Sequence, residues 1–155
     1  MNIAVGSDHA GFRLKAVIAA HLAERGHHAL DLGTDSADSV DYPDYGAAVA
    51  RAVVAGEADL GIAVCGSGIG ICMAASKVPG ARAACGAWRH VRPHVTVAQR
   101  RKRDVSGRTF TGEQVALDAV GAFLTTEFEG GRHQRRVDKI MALDVVTTTI
   151  SEETH

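Results

Sequence analysis

The chain is short of the features that mark a protein for a membrane, for nucleic acid or for secretion. None of the apolar runs in its 155 residues is long enough to cross a bilayer. Ile3, Ala4 and Val5 open a strand pattern almost at once, leaving no room for a charged leader and an apolar signal core. The formal net charge of -1 gives no general attraction to nucleic acid or anionic lipid. Cysteine occurs three times, at Cys65, Cys72 and Cys85. An odd count without metal-type spacing argues against a disulfide framework and for reduced thiols in the cytoplasm. Asparagine occurs once, at Asn2. These scarcities lead to an expected cytoplasmic protein with neither a nucleic-acid nor a membrane partner.

What is present is a substantial apolar fraction, 46%, with 17 glycines, enough to bury the core of a single domain spanning residues 1–155. Strand-like and helix-like patterns alternate. Asn2 to Val5, Ala29 to Leu32, Leu60 to Val64 and Ala81 to Cys85 read as strands. Phe12 to Glu24 carries Leu14, Val17, Ile18 and Leu22 at helical spacing, and Tyr45, Val49, Ala52 and Val53 form a stripe after Pro43, which suits a first helical turn. A small-residue helix follows at about Ile69 to Ser76, another at Glu113 to Thr125, and a last one after Gly130-Gly131, while the tail from about Val145 is expected to be loosely held. Alternating βα units call for a parallel sheet covered on both faces, with ligands gathered beyond the carboxyl ends of the strands. Asp8-His9, Asp41-Tyr42 and Cys65 to Gly70 fall on that edge.

The richest stretch is Leu60 to Gly70, where an apolar strand ends on Cys65 and turns into Gly66-Ser67-Gly68-Ile69-Gly70. Glycines let successive amides converge on an anion, and a thiolate beside them can take a proton or attack carbon. A tight turn with a buried cysteine is the plainer alternative. The loop fits neither nucleotide fingerprint, since the third dinucleotide glycine would fall on Ile71, no Lys-Ser/Thr pair follows, and no acidic residue lies between Asp59 and Asp104. No nucleotide cofactor is expected. Ser7-Asp8-His9-Ala10-Gly11 sets a carboxylate and an imidazole before a helix, where they serve acid–base work or merely cap the turn. Asp41-Tyr42-Pro43 has the same ambiguity, and Arg132 and Arg136, one helical turn apart, suit either a phosphate or solvent. Cys72 and Cys85 read as core residues.

Taken together, Gly6 to Gly11, Asp41-Tyr42-Pro43, Cys65 to Gly70, and Gly130 to Gln134 with Arg136 resemble the ribose-5-phosphate isomerase B family in order and spacing. The resemblance implies a Rossmann-like three-layer α/β sandwich with a parallel sheet of about five strands and a C-terminal helix. It also implies an aldose–ketose isomerase acting on a sugar phosphate without metal or cofactor, as a homodimer or tetramer. Its matching positions assign Cys65 as the base on carbon, Ser67 with the amides of Gly66, Gly68 and Gly70 as stabilisers of a negative oxygen, and Asp8 as a shuttle for hydroxyl protons. Tyr42 would meet the sugar, and His9, Arg108, Arg132 and Arg136 the phosphate.

One stretch departs from that pattern. Residues 87–105 lack the family's His-Asn-Asp-Ala-Asn run, whose histidine opens the furanose ring; Val97 stands at the expected spacing, and His90 and His94 are the nearby substitutes. Arg100 to Arg103 read as a solvated loop, not a nucleic-acid patch, because flanking aromatics are nearly absent. Codons GTC GCA CAA CGA CGC AAA CGT GAC are permitted for Val97 to Asp104, and a one-base shift of them spells Ser-His-Asn-Asp-Ala-Asn-Val. We read the stretch as translated out of frame between two compensating indels, and codons in the gene incompatible with that shift would refute it.

Overall fold

A computed structural model describes residues 1–86, 94–99, 113–126, 128 and 130–152. The order of elements is β1 (Asn2–Ser7), α1 (Phe12–Glu24), β2 (His28–Asp31), α2 (Tyr42–Ala55), β3 (Leu60–Cys65), α3 (Ile69–Ser76), β4 (Arg82–Gly86), β5 (His94–Gln99), α4 (Glu113–Thr125) and α5 (Arg132–Glu152). The five strands line up as β2-β1-β3-β5-β4. β1 pairs parallel to β2 and to β3, as right-handed βα crossovers require.

Alternation along β1 and β3 divides the core into two layers. Ile3, Val5, Leu60, Ile62 and Val64 face α1 and α4, meeting Leu14, Ile18, Leu22, Ala116, Val120 and Phe123. Ala4, Ala63 and Cys65 face the other way, toward Val49, Val53, Ile71 and Ala75 of α2 and α3. All six residues of β3 are buried, so a polar insertion there has no solvated face to turn to. Truncating Ile62 to alanine is expected to cost about 2–5 kcal/mol. Pro43 sits in the first turn of α2, and Gly56 ends that helix in the left-handed region with its amide on Ala52 and Val53 carbonyls.

The α/β sandwich and its sheet edge agree with the expectation from alternating patterns, but the all-parallel sheet does not. β5 lies between β3 and β4 and runs antiparallel to both, so four strands share one direction and the fifth opposes them. This strand falls within the anomalous stretch, where no strand was expected. Its signal is the β-branched alternation of Val95, Thr96 and Val97 after Pro93, overlooked beside the neighbouring arginines. Residues 145–152 continue α5 as helix.

Candidate active site

The carboxyl ends of β1 and β3 lie side by side, Ser7 pairing with Val64, and the Asp8 amide donates to the Val64 carbonyl at 3.3 Å. The two turns that follow are therefore neighbours. In the first, Asp8 is 5% exposed and its Oδ1 accepts the amides of Ala10 and Gly11, both at 3.0 Å. The carboxylate holds the entry to α1 by the usual Asx-type competition of short acidic side chains for nearby amides.

In the second turn, Cys65 is 3% exposed and belongs to the α2–α3 side of the core. Its sulfur nevertheless points to the loop, because the Gly68 amide donates to it at 3.1 Å. Gly68 is the residue before α3 and has φ of 73°, a left-handed conformation that side chains with Cβ rarely adopt. That conformation aims the amide back at the strand end, where negative charge on sulfur would be hydrogen-bonded. Ser67 is exposed, and its Oγ accepts the Ile69 amide at 3.4 Å. Gly66 and Gly70 complete the loop. At Gly70 a Cβ would lie 2.5 Å from the Tyr42 ring, so the absence of a side chain lets that ring rest on the loop.

Tyr42 is the first residue of α2 and is exposed. Asp41 precedes it without making a side-chain cap, which leaves the capping alternative for that motif without a hydrogen bond. His9 is half-buried, and its Nδ1 lies 3.2 Å from the Val40 amide, which donates to it. That contact ties the β1 turn to the segment leading into α2.

The structure brings Asp8, His9, Tyr42 and Cys65 to Gly70 to one edge. Arg132 and Arg136 are exposed on the first turns of α5. Arg108 lies outside the described residues. Cys72 and Cys85, expected in the core, are only half-buried. The register of β5 makes His94 the Cα partner of Cys65. Among the described residues no group of three or more His, Cys, Asp or Glu side chains is arranged to hold a metal ion, and no helix is long and apolar enough to cross a membrane.

Sequence reasoning missed Lys15. It lies in the buried stripe of α1, where its Nζ reaches Asp31 at 2.7 and 2.8 Å and the Thr34 carbonyl at 2.8 Å. The tie fastens α1 to the segment after β2. A lysine between Leu14 and Ile18, with an acid at the end of the next strand, was the available sign.

A family profile described as Ribose/Galactose Isomerase matches residues 3–140. The chain is 43% identical over 146 residues to ribose-5-phosphate isomerase B of Escherichia coli, covering 92% of this chain and 95% of that one. It is 44% identical over 147 residues to ribose-5-phosphate isomerase B of Mycolicibacterium paratuberculosis, with 89% and 88% covered. Among solved structures, ribose-5-phosphate isomerase B of Clostridium thermocellum superposes with a TM-score of 0.78 at 40% identity, over 95% of this chain and 99% of that one. The chain belongs to the ribose/galactose isomerase family and is an enzyme of the isomerase class.

Proposed function

We propose that the chain interconverts D-ribose 5-phosphate and D-ribulose 5-phosphate through an enediolate, with Cys65 as the base. The observation that carries this reading is the Gly68 amide directed at the Cys65 sulfur, in a loop with glycine at positions 66, 68 and 70. On the open-chain aldose, the Cys65 thiolate takes the proton from C2 while the C1 carbonyl oxygen gains the electron pair. Ser67 and the amides of Gly66 and Gly70 are assigned to that developing charge, since the Gly68 amide serves the Cys65 sulfur and the Ile69 amide serves Ser67 Oγ; such preorganised donors are commonly worth about 3 kcal/mol each. Asp8, whose Oδ1 is committed to its own turn, passes the hydroxyl proton between O2 and O1 with its other oxygen. Return of the proton from Cys65 to C1 completes the ketose.

Tyr42 contacts the sugar from the rim, and His9, Arg108, Arg132 and Arg136 hold the phosphate. Exposure of Arg132 and Arg136 on α5 suits guanidinium groups contributed across a subunit boundary. Ile69 and Met73 on α3, and Ile140 and Leu143 on α5, are exposed apolar pairs at helical spacing, which supports assembly as a homodimer or a larger even oligomer. Three cysteines outside any disulfide suit the reducing cytoplasm.

A coupled assay on ribose 5-phosphate tests the reading. Turnover by the unaltered chain, loss of it in Cys65→Ala and incorporation of solvent deuterium at C1 of the ketose product are expected. Binding of the sugar phosphate without turnover by the unaltered chain favours a second reading, a weakened binding protein, prompted by the missing histidine run at 87–105. Turnover restricted to a four- or six-carbon aldose phosphate would keep the mechanism and move the substrate.

A further inference from the structure

The Cys65 machinery leaves two thiols unused, and the fold sets them against each other. Ala81 and Ala83 of the β4 region pack in the same layer as Cys65, Ile71 and Ala75, so by alternation Cys85 faces that layer too. On α3, Ser76 donates from Oγ to the Ala83 carbonyl at 3.4 Å, which fixes the stripe of the helix that meets β4. Cys72 is one turn back on that stripe, about 6 Å along the helix, and Cys85 is two residues onward in the strand, about 6.6 Å along it. Because α3 descends as β4 rises, the two displacements run the same way and bring Cys72 over Cys85.

We propose that Cys72 and Cys85 form a dithiol modification site that a hydroperoxide oxidises to an intramolecular disulfide, sparing Cys65. Cys72 stands close enough to Cys85 to act on its thiol. Both residues are half-buried, whereas Cys65 is 3% exposed, so a small oxidant meets the pair first. Burial, reinforced by the neighbouring Cys72 and Cys65 sulfurs and the hydrogen bond to Cys72, pushes the Cys85 thiol up to about 11. A thiol held protonated that far up is a poor first nucleophile, which assigns the first step to Cys72 and the resolving step to Cys85.

The Cys72 sulfur attacks one peroxide oxygen, the O–O bond breaks, and the Cys72 proton leaves in a molecule of water (or of alcohol from an alkyl peroxide). Cys72 is then a sulfenic acid. The Cys85 sulfur attacks the Cys72 sulfur, the S–S bond forms, the S–O bond breaks, and the hydroxyl departs with the Cys85 proton as water. The two thiols lose two electrons, which the peroxide gains. This chemistry is independent of the isomerase reaction.

The test treats the reduced full-length chain with equimolar hydrogen peroxide, blocks remaining thiols under denaturation, and maps peptides without reduction. The expected product joins the Cys72 and Cys85 peptides, with Cys65 recovered in its blocked form. In Cys72→Ser and Cys85→Ser the bridge is lost and Cys65 oxidation rises several-fold at the same dose. Phenylarsine oxide, which must bond two sulfurs at once, offers a check on the unaltered chain: one equivalent should protect Cys72 and Cys85 from alkylation and leave Cys65 reactive. A bridge that includes Cys65, over-oxidation of Cys72 without any bridge, or arsenical binding that protects neither Cys72 nor Cys85 overturns the assignment.

Discussion

At the end of β1 the Asp8 carboxylate accepts the amide of Gly11, three residues on; at the end of β3 the Cys65 sulfur accepts the amide of Gly68, also three residues on. The turns share a plan and sit beside each other, but they distribute their work differently. Asp8 uses Oδ1 for both amides of its turn, and among the described residues Oδ2 holds none of them. Turn and chemistry are thus separable at Asp8. Cys65 has a single sulfur, so the atom that receives the amide is the atom assigned to receive the proton, and the shape of its loop cannot be altered without altering its reactivity.

The largest effect is expected where the two roles coincide. Cys65→Ala should lower kcat/KM on ribose 5-phosphate about 10²–10⁴-fold, the range for loss of a positioned base. Cys65→Ser should lose nearly as much, because its hydroxyl can still receive the Gly68 amide but is far less acidic than a thiol. Steady-state assays beside thermal melts separate the two quantities, and a serine variant with near-normal turnover would break the comparison at its centre.

At Asp8 the roles should come apart. Asp8→Asn keeps an oxygen acceptor for Ala10 and Gly11, so its stability should stay within about 0.5 kcal/mol, while loss of the proton shuttle should reduce kcat by about 10²-fold. Asp8→Ala removes the acceptor as well and should cost about 1 kcal/mol more in urea unfolding. An asparagine variant with unchanged kcat would make Asp8 a turn-holder only.

Both turns were legible in the sequence because each is local: a strand pattern, an acceptor, and glycine within three residues. Their adjacency was legible too, since alternating βα units place such turns on one edge. The β5 strand was not, because its pairing joins residues far apart in the chain and its neighbours on both sides are atypical. The Lys15–Asp31 tie was hidden for a related reason. A lysine in an amphipathic helix is normally read as solvent-facing, and only the packing of α1 on β2 turns it inward. The positions of Arg132 and Arg136 relative to one another followed from helical spacing, whereas a guanidinium cluster carries no information about which edge it serves.

A smaller effect sharpens the Cys65 turn from outside. Gly70→Ala would bring a methyl within 2.5 Å of the Tyr42 ring. Tyr42 is exposed and free to swing outward, so the fold should survive with a loss below about 1 kcal/mol. The displaced ring should raise KM several-fold with little change in kcat, the pattern for lost binding common to ground and transition states. A fall in kcat with KM unchanged would mean that the loop amides had moved instead.

The smallest effect concerns a third strand end. Cys85 stands near the end of β4 as Cys65 stands at the end of β3, but burial, with two neighbouring sulfurs, pushes its thiol from 9.0 up to about 11. In the unfolded chain Cys85 loses its proton as pH passes 9; in the native chain it keeps that proton until about 11. Between those values the native state binds more protons than the unfolded state, so unfolding free energy falls as pH rises, by the linkage of proton uptake to stability. The contribution is whole below pH 9 and spent above 11. Cys85 is only half-buried, and screening holds the loss to less than about 1 kcal/mol. Urea unfolding under reducing conditions, at intervals from roughly pH 8 to pH 11, should show a steeper decline for the unaltered chain than for Cys85→Ala. Subtracting the two curves removes the tyrosine and lysine titrations that they share. Parallel curves would mean that burial near the end of β4 does not hold the Cys85 proton in the native chain.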